Sequence, residues 1–127
     1  MQPGRISRLA RFVRVTNATQ RTVIAERARV ARGLIEVVLG LHLLPKLQPG
    51  EGLLLPGATM IDTTFMGYAI DLVFINRSQR VTRLVSRLQP WRMVAGANGG
   101  RDCLELPAGT LEGTGTQRGD QLEMTPL

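Results

Sequence analysis

Apolar and polar positions alternate along much of this chain, and the alternation breaks repeatedly at glycine or proline. Leu9–Val15 sets Leu9, Arg11, Val13 and Val15 against Ala10, Phe12 and Arg14, the pattern of an imperfect strand. Thr16-Asn17-Ala18-Thr19 has hairpin-turn chemistry, and Gln20–Ala25 follows with β-branched Thr22, Val23 and Ile24. Residues 1–25 are therefore expected to carry an N-terminal β-hairpin. In Glu26–Leu39 the period changes. Val30, Leu34, Val37, Val38 and Leu41 recur at spacings of three and four, which predicts one short amphipathic helix in the N-terminal third. Gly33 weakens that helix and Gly40 ends it.

From Pro45 onward the breaks come close together. Strand-like runs lie between them: Gly52–Leu55, Thr59–Thr63, Ala69–Asn76, Arg80–Ser86, Cys103–Leu106 and Gln121–Thr125. Short strands separated by turns predict a mostly β fold, a compact β-sandwich or barrel-like single domain over residues 1–127. Ala69–Asn76 is the central strand. Ile70, Leu72 and Phe74 line one face; Asp71, Val73 and Ile75 line the other. Both faces are apolar except at Asp71, as in a strand covered on both sides.

Composition narrows the class. At 127 residues, with 43% apolar and 20% charged residues, the chain can bury a core without disulfides or a structural metal. One cysteine, Cys103, and one histidine, His42, cannot build a zinc site of the usual Cys/His kind, and no cofactor is implied. The start lacks a signal-peptide apolar core, and the most apolar stretch, Gly33–Leu44, is too short to cross a membrane. A cytoplasmic protein without membrane insertion is expected. Asn17 and Asn76 open glycosylation sequons but read as turn asparagines.

The net charge of +6 is uneven, since residues 1–32 hold eight arginines against one glutamate. Arg5, Arg8, Arg11 and Arg14 thus form a basic edge that could meet nucleic acid or another polyanion, although only Phe12 is interleaved for stacking.

Four strings, GEGLLLPGATMIDTTFMGYAIDLVFINRSQRV, LQPWR, LELPAGT and GDQL, occur in order between about Arg32 and Leu122. Together they resemble the bacterial and archaeal family named domain of unknown function 192. The resemblance implies a compact β-barrel or sandwich-like domain with a short helix near its start, and no established activity. Two positions depart from the family pattern. Asp62 stands where the family usually has the histidine of a His-Thr pair, and Gly57 where a cysteine is common. The stretch Glu36–Leu47 is also longer than the family's usual link.

Chemistry-bearing groups concentrate around this region. Asp62, Thr63, Met66, Asp71, Trp91, Arg92 and Glu105 are the candidate lining of a polar pocket beside the central strand, for a small polar ligand or a protein partner. Cys103 and Glu105 share one strand face, with Leu104 and Leu106 on the opposite, core-facing side. Carboxylates drawn together can divide acid and base roles, so a small carboxylate-based hydrolase is the alternative to a binding module. A structural reading stands beside both: Asp71 satisfying backbone N–H groups, Arg92 paired with Glu105 or Asp71, and Trp91 plugging the core. Gly99-Gly100 lacks the lysine and helix of a phosphate loop, and no nucleophile elbow is present. Cys103 reads as an inert strand thiol, and Met60, Met66 and Met93 as core filler or pocket edge.

Overall fold

The computed structural model describes residues 11–32, 46–64 and 66–127. Among the described residues there are nine strands: β1 (Phe12–Asn17), β2 (Thr22–Val30), β3 (Glu51–Leu55), β4 (Met60–Asp62), β5 (Ile70–Ile75), β6 (Val81–Leu88), β7 (Met93–Ala95), β8 (Asp102–Pro107) and β9 (Leu122–Pro126). The helix α1 (Thr110–Thr114) follows β8. Seven strands form one sheet in the order β6-β5-β8-β3-β2-β1-β9, while β4 and β7 make a separate pair. All neighbours are antiparallel except β2 and β3.

The large sheet curls into a half-barrel until its edges meet. Val81 N–H donates to the Asp120 carbonyl, Leu122 N–H to Gln79 and Gly119 N–H to Val81, at 2.8–2.9 Å. The inner face is closed by Val13, Val15, Ala28, Leu54, Val73, Leu104 and their neighbours, with Leu111 of α1 as a plug. The outer face is not left bare. Leu53, Leu55, Ile70, Leu72, Phe74 and Cys103 pack beneath Ile61, Met66 and Val94, supplied by the β4–β7 pair and its flanking loop.

This double cover explains β5, buried at every position. Ile70, Leu72 and Phe74 point outward into the second cluster and Val73 and Ile75 inward, as the alternation predicts. Gly52 sits where β3 crosses the inner core. A β-carbon there would come within 3.2 Å of a Leu106 methyl and 3.3 Å of the Glu105 carbonyl.

The helix expected over Glu26–Leu39 is not supported. Glu26–Val30 is the second half of β2, Ala31 and Arg32 have no regular structure, and positions 33–39 lie outside the described residues. Here Ala28 and Val30 are buried and Arg27 is exposed, so the segment also fits a period of two. Pairing with both β1 and β3 decides the outcome. Among the described residues α1 is the only helix; five residues containing Gly113 give no periodic signal in sequence. The Cys103 and Glu105 face of β8, taken as the side away from the core, is buried as well.

Candidate functional site

Strand register decides which candidate residues can meet. Asp71 is opposite Leu106, whereas Glu105 is opposite Leu72. Side chains alternate along a strand, so Asp71 projects to the inner face and Glu105 to the outer face. The sheet itself separates them.

Asp71 is occupied by backbone. Its carboxylate accepts from Arg87 N–H at 2.8 Å, Leu111 N–H at 2.9 Å and Gly109 N–H at 3.1 Å. Arg87 lies at the register shift between β5 and β6 and has φ 53°. One carboxylate thus pins the irregular end of β6 and the start of α1 to the central strand. This matches the structural reading of Asp71.

Thr63, Trp91 and Arg92 do come together. Thr63 N–H donates to the Arg92 carbonyl at 2.8 Å, and Trp91 N–H donates to the Thr63 carbonyl at 3.1 Å. The buried Thr63 hydroxyl lies 2.8 Å from the Gln89 carbonyl and accepts from Arg92 N–H at 2.9 Å. Thr63 therefore clamps the turn in which Trp91 adopts φ 63°. The Trp91 side chain is not a core plug, since the residue is 59% exposed. The Arg92 guanidinium is exposed and donates to the Trp91 carbonyl at 3.2 Å, so neither the Glu105 nor the Asp71 ion pair forms. Asp62, exposed on β4, accepts from Thr64 N–H at 2.9 Å. Met66 is buried in the outer cluster.

Glu105 differs from all of these. It is 4% exposed, and its Oε2 is buried with no hydrogen-bond partner. Burial alone pushes its carboxyl up to about 8 from the ordinary 4.5, which leaves it protonated at neutral pH. The Tyr68 hydroxyl is also buried and unpartnered, and the two groups are near enough to interact electrostatically. Burial raises the phenol's pKa, the Leu47 backbone lowers it without reaching hydrogen-bond geometry, and Glu105 raises it further. On the same face Cys103 is fully buried, and desolvation, then Glu105 and Asp102, hold its thiol well above its usual range. A buried thiol held in its neutral form is a poor nucleophile.

A cross-sheet row locates Glu105 in the fold. Successive register partners Phe12, Arg29, Leu53, Glu105, Leu72 and Val85 run over β1, β2, β3, β8, β5 and β6. All six share the outer face. At the β1–β3 end this row opens into a cleft of about 280 Å³, whose lining includes Phe12, Arg27, Arg29, Lys46, Leu47, Glu51 and Leu53. Leu53 is thus both part of the cleft and the direct neighbour of Glu105. Sequence reasoning missed Tyr68, Lys46 and the Arg27–Arg29 pair. The available signal was the alternation of Arg27 and Arg29 with Ala28 and Val30, which was read as helical.

The family described as Uncharacterized ACR, domain of unknown function 192, matches residues 13–124. The chain belongs to this family. The match begins inside β1, so it takes in most of the β1–β2 pair. Among relatives of the domain of unknown function 192, a UPF0127 protein of Pyrococcus furiosus is 32% identical over 111 residues, covering 84% of this chain and 94% of that protein. A UPF0127 protein of Thermococcus sibiricus is 27% identical over the same length, with 84% and 71% covered. Two crystal structures share the fold. A protein of unknown function from Novosphingobium aromaticivorans has a TM-score of 0.74 at 23% identity, covering 88% of this chain and 83% of that one. A chain from Sinorhizobium meliloti 1021, provisionally described as a transcription regulator, has a TM-score of 0.76 at 24% identity, with 89% and 92% covered.

The family departures occupy unequal places. Gly57 has φ 76° and donates its N–H to Asp102 at 2.9 Å, so it serves a turn that leads from β3 toward β4. Asp62, where the resemblance led us to expect a histidine, is exposed on β4 of the β4–β7 pair. Neither projects from the strand face that carries Glu105.

Proposed function

We propose that this domain is a small ligand-binding module whose ligand is held on the outer face of the half-barrel, beside β5, by Glu105 and Tyr68. One observation carries the reading: two buried polar atoms on one patch, Glu105 Oε2 and the Tyr68 hydroxyl, have no hydrogen-bond partner. Folded proteins pair nearly all such atoms, and each unpaired one costs roughly 1–3 kcal/mol. A patch that tolerates two is a patch kept for something else to complete. Glu105 is protonated at neutral pH, so it offers an O–H donor beside a second O–H donor on Tyr68. The complementary ligand group is a carbonyl or amide.

The carboxylate-hydrolase alternative requires two acids that share a substrate. Asp71 faces the opposite side of the sheet with three backbone N–H groups on its oxygens, and Asp62 belongs to the separate two-stranded sheet. Binding is therefore the better-supported reading.

The test is a titration of the ¹⁵N-labelled protein with acetamide and benzamide, repeated on Glu105→Leu. Amide shifts concentrated at Leu53, Tyr68, Leu72 and Glu105, absent from the variant, are expected. No shifts, or the same shifts in Glu105→Leu, would overturn the assignment.

A further inference from the structure

The cleft at the other end of the Glu105 row has its own chemistry. Arg27 and Arg29 are two residues apart on β2 and both project to the outer face. The Arg27 guanidinium carbon is 3.8 Å from the centre of the Phe12 ring, and that of Arg29 is 6.0 Å away. Lys46 stands across the cleft, with its ammonium 5.5 Å from the Tyr68 ring. None of these three cations has a carboxylate partner among the described residues, unlike Arg14, Arg87 and Arg101. Glu51, in direct register with Arg27, also lines the cleft, and its carboxylate accepts from Gln48 N–H at 2.7 Å.

From this arrangement we infer that the cleft is a binding site for a small organic oxyanion, a phosphate ester or a carboxylate. It does not depend on the reading of Glu105, which is absent from the cleft lining. Three positive charges converge on about 280 Å³ against one negative charge, Glu51, whose carboxylate accepts from the Gln48 N–H, which leaves the cleft cationic by two. The Phe12 ring lies against the Arg27 guanidinium, and a guanidinium held on a ring face keeps its N–H edges available to an oxyanion in two parallel hydrogen bonds. Leu47, Leu53 and the Phe12 ring supply apolar wall for the organic part. The concave shape and single aromatic favour a small molecule over a polymer, because a nucleic-acid strand needs a continuous groove with repeated stacking platforms.

The experiment titrates the intact chain at low ionic strength with inorganic phosphate, phenyl phosphate, benzoate and a single-stranded oligonucleotide, read by amide shifts and calorimetry. Saturable binding of phenyl phosphate or benzoate is expected, tighter than inorganic phosphate, with shifts at Phe12, Arg29, Gly52 and Leu53. Whichever of the two aryl anions binds more tightly identifies phosphate ester or carboxylate as the physiological chemistry. Arg27→Gln and Arg29→Gln should each weaken binding roughly tenfold or more. Arg29→Lys should weaken it less, and all three variants should melt near the wild type. The inference falls if neither aryl anion binds, if both glutamine variants bind as the wild type does, or if only the oligonucleotide binds, with its footprint outside the cleft. Loss of amide binding in Glu105→Leu with aryl-anion binding intact would separate this site from the Glu105 patch.

Discussion

Asp71 and Glu105 stand on neighbouring antiparallel strands, one register position apart, and project from opposite faces of the same sheet. The two acids that look like a pair in sequence therefore have different jobs. Asp71 completes the inner architecture. Glu105 is buried on the outer face without a hydrogen-bond partner on Oε2.

Replacing Asp71 should cost stability. Asp71→Ala strands three backbone N–H groups at the β6 irregularity and the start of α1. Loss of a charged acceptor at such a site is expected to cost roughly 3 kcal/mol, read as a lower urea midpoint. Asp71→Asn keeps one acceptor oxygen and should cost less. Anion or amide binding by the folded variants should be unchanged.

Glu105 makes stability depend on pH in an unusual direction. Its folded value of about 8 lies above its ordinary 4.5, so the native state holds a proton that the unfolded chain releases. Stability should fall as pH rises from about 4.5 to about 8 and then level off, losing up to roughly 5 kcal/mol across that window. Glu105→Gln should remove this slope and be the more stable protein at pH 9. Thermal melts of both proteins from pH 4 to 9 measure it.

Asp120 acts at the acid end. Burial works to raise its carboxyl, but hydrogen bonds from Asn17, the Gln117 N–H and Gln20 outweigh burial and lower it. A lowered native value gives stability that is present above the unfolded value and is lost as pH falls through the native one. Asp120→Asn should flatten the acid limb of the stability curve and weaken the seam where β6 and β9 meet. Asn17→Ala, which leaves a buried carboxylate short of a donor, should shift that limb to higher pH.

Cys103 gives a readout of outer-face opening. Its thiol is fully buried on the outer face that also carries Glu105, so a neutral alkylating reagent should not modify it in the native state. Modification should track global unfolding in urea. Rapid labelling in buffer would show that the outer layer over Cys103 opens on its own.

Much of this fold was legible because β5 alternates two apolar sets and its neighbours are cut by glycine and proline. The failures are instructive. Glu26–Val30 was read as helix because Val30 begins a run of apolar residues spaced at three and four, while the parallel partner that makes it a strand, β3, is not visible locally. The β7 strand was missed because Met93–Ala95 is three residues long. At the site, Glu105 was picked out as a polar residue in an apolar strand, but the register that parts it from Asp71 is a tertiary property. Tyr68 and the Phe12–Arg27 stack depend on contacts across the sheet, so their residues carried no distinctive spacing.

The most direct measurement is a ¹³C NMR titration of the Glu105 side-chain carboxyl in the folded protein. A midpoint near 8 is predicted, from a carboxyl held away from water with no partner to stabilise its charge. A midpoint near the ordinary 4.5 would mean that solvent or a partner already satisfies the group, and would contradict the account.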